Sequence, residues 1–258
     1  MRISVDHLTL AFRRGVQVLD DVTIAVEAGE FVALLGPSGC GKSTLLNAVA
    51  GLLDPAECTA HGDISLDSAL PGDRSLRLGY VFQRDTLLPW RTLLANVQLG
   101  LEIRGLNGHA RADRASELIR LVGLDGFEQY YPHQVSGGMR QRVQLIRTLA
   151  YEPEAILMDE PFGALDAQNR MLLQAELLRI WERTRMTILF VTHDLAEAIT
   201  LAQRVVVLSK RPGRIKRVFD IPLPSPRDPF ELRAAPAFGE LEASIWQELR
   251  DEFRAVRR

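Results

Sequence analysis

The 258-residue sequence predicts an α/β fold with a mostly parallel sheet, an antiparallel β edge and an inserted α-helical subdomain. Three observations predict it. Phe31 to Leu35 is a continuous apolar run, as in a strand buried on both faces. It ends at a glycine-rich loop, Gly36 to Gly41, after which Lys42 to Ala50 reads as a helix. Short apolar strands return at Ala155–Met158, Thr187–Val191 and Val205–Leu208, with helical stretches near 167–183 and 194–202 between them. That alternation marks parallel strands joined by helices, whereas residues 84–153 hold no good strand.

The elements follow in order. Ile3 to Phe12 alternates polar and apolar residues and reads as a strand, and Val22–Val26 as another, with Glu27–Glu30 turning into Phe31. Leu78 to Phe82 is a short strand. Ala110–Val122 and Gly138–Tyr151 are helical, and in the second Met139, Val143, Ile146 and Ala150 make one apolar face. Leu223 to Pro229 carries three prolines and reads as a linker. From Glu240 to Phe253, Leu241, Ile245, Leu249 and Phe253 recur every fourth residue, predicting an amphipathic helix. The expected organisation is an α/β core from 1–83 and 154–229, a helical insert from 84–153 and a helical tail from 230–258.

Composition excludes whole classes. At 47% hydrophobic and 25% charged residues, the chain can bury a sizeable core and is neither disordered nor fibrous. Lys and Arg number 31 against 33 Asp and Glu, so no bulk positive charge argues for nucleic acid. Cys40 and Cys58 form no CxxC pair, and the five histidines are scattered, which argues against a zinc site. No apolar run reaches the roughly 18 residues of a membrane span. The N-terminus lacks a signal-peptide core. A soluble, cytosolic chain is the expectation.

The strongest motif is Gly36-Pro37-Ser38-Gly39-Cys40-Gly41-Lys42-Ser43, a GxxxxGK[ST] phosphate loop between a buried strand and a helix. Its backbone N–H groups can cradle phosphate oxygens, Lys42 adds a point charge, and the Ser43 hydroxyl can ligate Mg²⁺. Asp159-Glu160 follows the strand Ala155–Met158. An Asp there can hold Mg²⁺ and the adjacent Glu can polarise water; the pair could equally cap the next helix. Ser136-Gly137-Gly138 opens a helix, which suits either an anion site or a simple turn and cap.

In this order the motifs resemble those of the ATP-binding subunits of ABC transporters, over residues 3 to 229. Gly36 to Ser43, with Thr44 beside it, is similar to that family's Walker A loop and Gln83 to its Q-loop. Ser136-Gly137-Gly138 is similar to its signature, Asp159 and Glu160 to its Walker B pair, Asp166 to the end of its D-loop and His193 to its switch histidine. Phe12, 24 residues before Gly36, matches the aromatic that stacks on adenine, or is a core strand residue. The signature usually reads Leu-Ser-Gly-Gly-Gln; here Val135 and Met139 replace its ends, and Ile146 and Thr148 stand where alanines are commoner.

The resemblance implies a P-loop ABC ATPase using ATP and Mg²⁺. Ser43, Gln83 and Asp159 would hold the metal, with Glu160 as general base and His193 as γ-phosphate sensor. A second copy of the chain would close Ser136 and Gly138 over the nucleotide. Leu87-Leu88-Pro89-Trp90 resembles a segment of nitrate, sulfonate and taurine importer ATPases, where a membrane permease docks. On composition alone it could instead fold onto its own core. Arg211–Arg214 and Leu223–Asp228 resemble the tail of that subfamily. The basic run Lys210–Arg217 reads as a solvated hairpin turn, with attraction to a membrane surface as the alternative. Import of nitrate, sulfonate, taurine or a similar small solute, fed by a solute-binding protein, is then expected, with the chain peripheral on the cytoplasmic face of the cell membrane. The alternative is a soluble ABC-type ATPase acting on nucleic acid or cofactor assembly.

Overall fold

A computed structural model describes residues 1–13, 15–67 and 77–255, with the side chains of 251 and 253–255 outside the description. In chain order its elements are β1 (Arg2–Phe12), β2 (Val16–Val26), β3 (Phe31–Leu35), α1 (Lys42–Val49), β4 (Cys58–Asp67) and β5 (Leu78–Val81). Then come α2 (Leu93–Ile103), α3 (Gly108–Leu121), α4 (Gly137–Ala150), β6 (Ala155–Asp159), α5 (Ala167–Thr184) and β7 (Thr187–Thr192). The last are α6 (Leu195–Leu201), β8 (Arg204–Leu208), β9 (Ile215–Asp220), α7 (Pro229–Leu232) and α8 (Pro236–Ala255).

Two sheets result. One is antiparallel in the order β2-β1-β4; the other has the order β5-β6-β7-β3-β8-β9, parallel except for its antiparallel edge β9. The pleat divides the central strands between two cores. Phe31, Ala33 and Leu35 of β3 join Ile156, Met158, Ile188 and Phe190 and the helices α2 to α5. Val32, Leu34, Leu157, Leu189 and Val191 face the other way, onto α1 and the antiparallel sheet. Burial on both faces explains why these strands are uniformly apolar.

Some elements depart from the sequence reading. Strand β2 begins at Val16 rather than Val22, because Val16 and Gln17 pair with Phe12 and Ala11. Strand β4 was not foreseen; it pairs along β1, but most of its residues are exposed, so it carries little apolar alternation. Strand β9, Ile215–Asp220, takes up the end of the basic run. The proline segment is irregular yet anchored, since Arg227 donates to the carbonyls of Ala202 at 2.7 Å and Ile221 at 3.0 Å. In α8, Ile245 and Leu249 are buried and Leu241 packs beside them; the Phe253 side chain lies outside the described residues. Among the described residues no helix is long and apolar enough to cross a membrane.

Candidate nucleotide site

Parallel strands end together, and the residues just beyond their carboxyl ends form the crevice where such sheets bind ligands. Strand β3 delivers the loop Gly36–Gly41, β5 delivers Gln83, β6 ends at Asp159 and β7 at Thr192, one residue before His193. A cleft of about 490 Å³ is lined by Phe12, Val18, Ser38, Gly39, Gly41, Lys42, Ser43, Thr44, Gln83, Glu160, His193 and Arg211.

The loop hands directly into α1. Gly41 occupies the N-cap position with φ of 107°, and no side chain caps the helix, so its first N–H groups are left for another partner. Only glycine suits this position: a Cβ would meet Leu19 Cδ2 at 2.7 Å and Val18 Cγ1 at 3.0 Å. Lys42 is buried, and its ammonium donates to the carbonyls of Gly36 at 2.8 Å and Pro37 at 3.0 Å. The side chain thus arches back over the loop. Burial pushes the Cys40 thiol pKa up, against Lys42, which lowers it.

Behind the loop the Ser43 hydroxyl donates to Asp159 Oδ1 at 2.9 Å. Burial raises the Asp159 pKa and Glu160 adds to the rise, against the Ser43 hydrogen bond and Lys42, which lower it. Glu160 has φ of 47°, a left-handed conformation that costs a side chain about 1–2 kcal/mol. Its N–H donates to the Val191 carbonyl at 3.0 Å, which ties the turn to β7. One carboxylate oxygen, Oε2, receives Gln83 Nε2 at 3.1 Å and lies 3.1 Å from His193 Nδ1. Three strand ends therefore converge on one acid.

Other expected residues lie elsewhere. Ser136 and Gly137 are exposed at the start of α4, where the Ser136 hydroxyl accepts from the Met139 N–H at 3.2 Å, and neither they nor Gly138 line the cleft. Asp166 caps α5 by accepting from the Asn169 N–H at 3.0 Å, a bond that holds its pKa down, and it also lies outside the cleft. Phe12 lines the cleft while packing, partly buried, against the second core. The Leu87–Trp90 segment is split: Leu87 is buried and Trp90 is 71% exposed.

Sequence reasoning missed four residues. Val18 and Arg211 reach the cleft because β2 and the β8–β9 turn flank the loop. Arg170 lies 3.2 Å from the Asp194 carboxylate and donates to the Leu165 carbonyl at 3.1 Å, joining the D-loop-like turn to the segment after His193. Gln144 of α4 donates to the Phe82 carbonyl at 2.5 Å and accepts from the Thr86 N–H at 3.4 Å, bracketing Gln83. For Gln144 the sequence signal was a polar residue within an otherwise apolar stretch of helix.

A phosphate loop on a parallel sheet, with an acid pair and a histidine at neighbouring strand ends, defines the class as a P-loop nucleotide-binding ATPase. The model of the ABC transporter family matches residues 19–163. The chain is 43% identical over 98% of its length to the taurine import ATP-binding protein TauB of Rhizobium johnstonii, covering 95% of that protein. It is 41% identical over 96% of its length to the aliphatic sulfonates import ATP-binding protein SsuB of Bacillus cereus, covering 96% of it. It superposes on the dimeric structure of a bacterial ABC transporter cassette with a TM-score of 0.75 at 31% identity, over 85% of this chain and 98% of that one. The same cassette is also solved with ADP and Pi bound. The chain belongs to the ABC transporter family as an ATP-binding cassette.

Proposed function

We propose that this chain hydrolyses ATP to energise import of a small solute through a membrane permease, as the names of the taurine and sulfonate relatives suggest. The observation that carries the proposal is the convergence of Gln83, Glu160 and His193 beside the buried Lys42 loop. Gly36, Pro37, Ser38, Gly39, Cys40, Gly41, Lys42, Ser43 and Thr44 receive the phosphates, and Phe12 stacks on the base. Glu160 orients and deprotonates the attacking water, with Gln83 and His193 sharing its Oε2 and fixing its direction. The positioning already present in these contacts is what phosphoryl transfer chiefly requires.

The donor set fits Mg²⁺. Ser43 Oγ, Asp159 Oδ1 and the Gln83 amide oxygen are hard oxygen donors, and no cluster of three His, Cys, Asp or Glu occurs among the described residues. That suits an ion that keeps waters and phosphate oxygens as most of its ligands. When bound it supplies charge neutralisation on the β- and γ-phosphates.

One chain supplies half of the machinery. The exposed Ser136 and Gly137, the half-buried Gly138 and Asp166 nearby support a two-fold dimer in which each chain closes the partner's nucleotide. Trp90, exposed seven residues after Gln83 in the chain, is proposed as the permease contact. A solute-binding protein delivers nitrate, sulfonate, taurine or a similar small solute to that permease. The chain works at the cytoplasmic face of the membrane.

The test is Glu160→Gln assayed with Mg-ATP. It is expected to bind ATP with near wild-type affinity, to lose at least about 99% of turnover, in line with loss of a general base, and to accumulate as a dimer. Turnover at the wild-type rate removes Glu160 from its role.

A further inference from the structure

We propose that Arg211, in the β8–β9 turn, is an additional nucleotide-binding residue, and that the tail helix α8 holds it in place. The proposal rests on the reading of the cleft as a nucleotide site. Strand order puts the turn there. Because β8 pairs with β3, the chain leaving Leu208 runs alongside the chain leaving Leu35. Gly213 N–H donates to the Val18 carbonyl at 2.8 Å and its carbonyl accepts from Asp20 N–H at 3.0 Å. A Cβ at Gly213 would lie 2.2 Å from the Cys40 carbonyl, so the turn rests on the phosphate loop itself.

The charges of this basic run are mostly committed. Arg214 pairs with Asp20, Lys216 lies 3.2 Å from Glu252, and Arg217 lies 2.8 Å from Glu248. Arg211 is exposed, lines the cleft with Ser38, Gly39 and Lys42, and has no hydrogen bond or ion pair among the described residues. An unpaired guanidinium on the rim of an anion-receiving loop is suited to a phosphate-bearing ligand. The turn is braced from behind, where the Lys210 N–H donates to Glu252 Oε2 at 2.8 Å. Arg211 is the next residue, so α8 sets where its side chain starts.

The experiment is titration calorimetry of Mg-ATP on the full chain and its variants across a KCl series. Arg211→Ala is expected to raise the Kd about 3- to 10-fold at low salt, the range for an exposed charge-assisted contact. The difference shrinks as salt screens it. Arg211→Lys, which keeps the charge and loses the fork, recovers part of the affinity. Glu252→Ala raises the Kd less, and adds nothing on the Arg211→Ala background because it acts through that residue. Wild-type affinity in Arg211→Ala at low salt overturns the assignment, and additive effects overturn the role of α8. If the wild-type chain and Lys42→Ala both fail to bind Mg-ATP, the nucleotide reading itself falls with it.

Discussion

Replacing Gln144 by methionine isolates how the segment carrying Gln83 is held. Gln144 is 3% exposed, and methionine has nearly its length, so the change removes hydrogen bonds without opening a cavity. The bond to the Phe82 carbonyl is short, at 2.5 Å, whereas the one from Thr86 N–H, at 3.4 Å, is near the limit. Taking about 1 kcal/mol for the first and a few tenths for the second gives a net loss of about 1.5 kcal/mol. Arg147 still donates to the Thr86 carbonyl at 2.8 Å and hydroxyl at 2.6 Å, so the segment loosens and stays attached. The contact that weakens is the grip of Gln83 on Glu160.

If that loss falls on the competent arrangement, kcat drops about tenfold, since 1.36 kcal/mol is one decade of rate. The Tm falls by about 3–6 °C for a chain of this size. The Kd for ATP stays within about twofold, because Gln144 touches none of the phosphate loop. Phosphate release, calorimetry and thermal denaturation on one preparation read all three. A lower Tm with wild-type kcat would make Gln144 a strut and refute the argument.

Three further outcomes follow from the same contacts. Asp159→Asn is expected to stabilise the nucleotide-free protein at neutral pH while losing ATPase activity. Burial raises the Asp159 pKa in the folded state, so its ionisation destabilises the fold; the variant's advantage, read by thermal melts, should vanish once the pH falls below the ordinary aspartate range. Leu87→Ala, at a buried position, should cost about 2–5 kcal/mol in denaturant unfolding, whereas Trp90→Ala leaves stability within about 0.5 kcal/mol and abolishes recovery of a permease from membranes. Lys42→Ala should weaken ATP binding by at least about 30-fold, as expected for a charged hydrogen-bonding partner of the phosphates, and wild-type affinity in a binding titration would contradict that.

What could be read from the sequence was chemistry written consecutively or anchored to a strand end. Gly36 to Ser43 needs no tertiary information, because the loop's own backbone makes the cradle. Asp159, Glu160 and His193 were legible because each follows a run apolar enough to be a buried strand. Arg211 and Val18 were not, since their place depends on β8 lying beside β3 and on β2 folding over the loop. No residue near Arg211 in sequence records that adjacency. Strand β4 escaped for the opposite reason: its partner is specific but its surface is wet, so its side chains carry no period.

The left-handed conformation of Glu160 breaks a local rule, and the contacts around it explain why the break is tolerated. Its N–H is satisfied by β7, and its carboxylate is met from β5 and from the end of β7. Helix α4 extends that logic across the molecule. Ser136 stands at its exposed first turn, and along its body Arg140 meets Asp85 at 2.6 Å while Gln144 and Arg147 grip Phe82 and Thr86. Fourteen residues at 1.5 Å each make a rod of about 21 Å. In the proposed dimer one end would face the second copy, and the body holds the segment from Phe82 to Thr86. A push on the segment that carries Trp90 would then be felt at Ser136 through one helix, and the Gln144→Met variant loosens that link while Arg140 and Arg147 keep it attached.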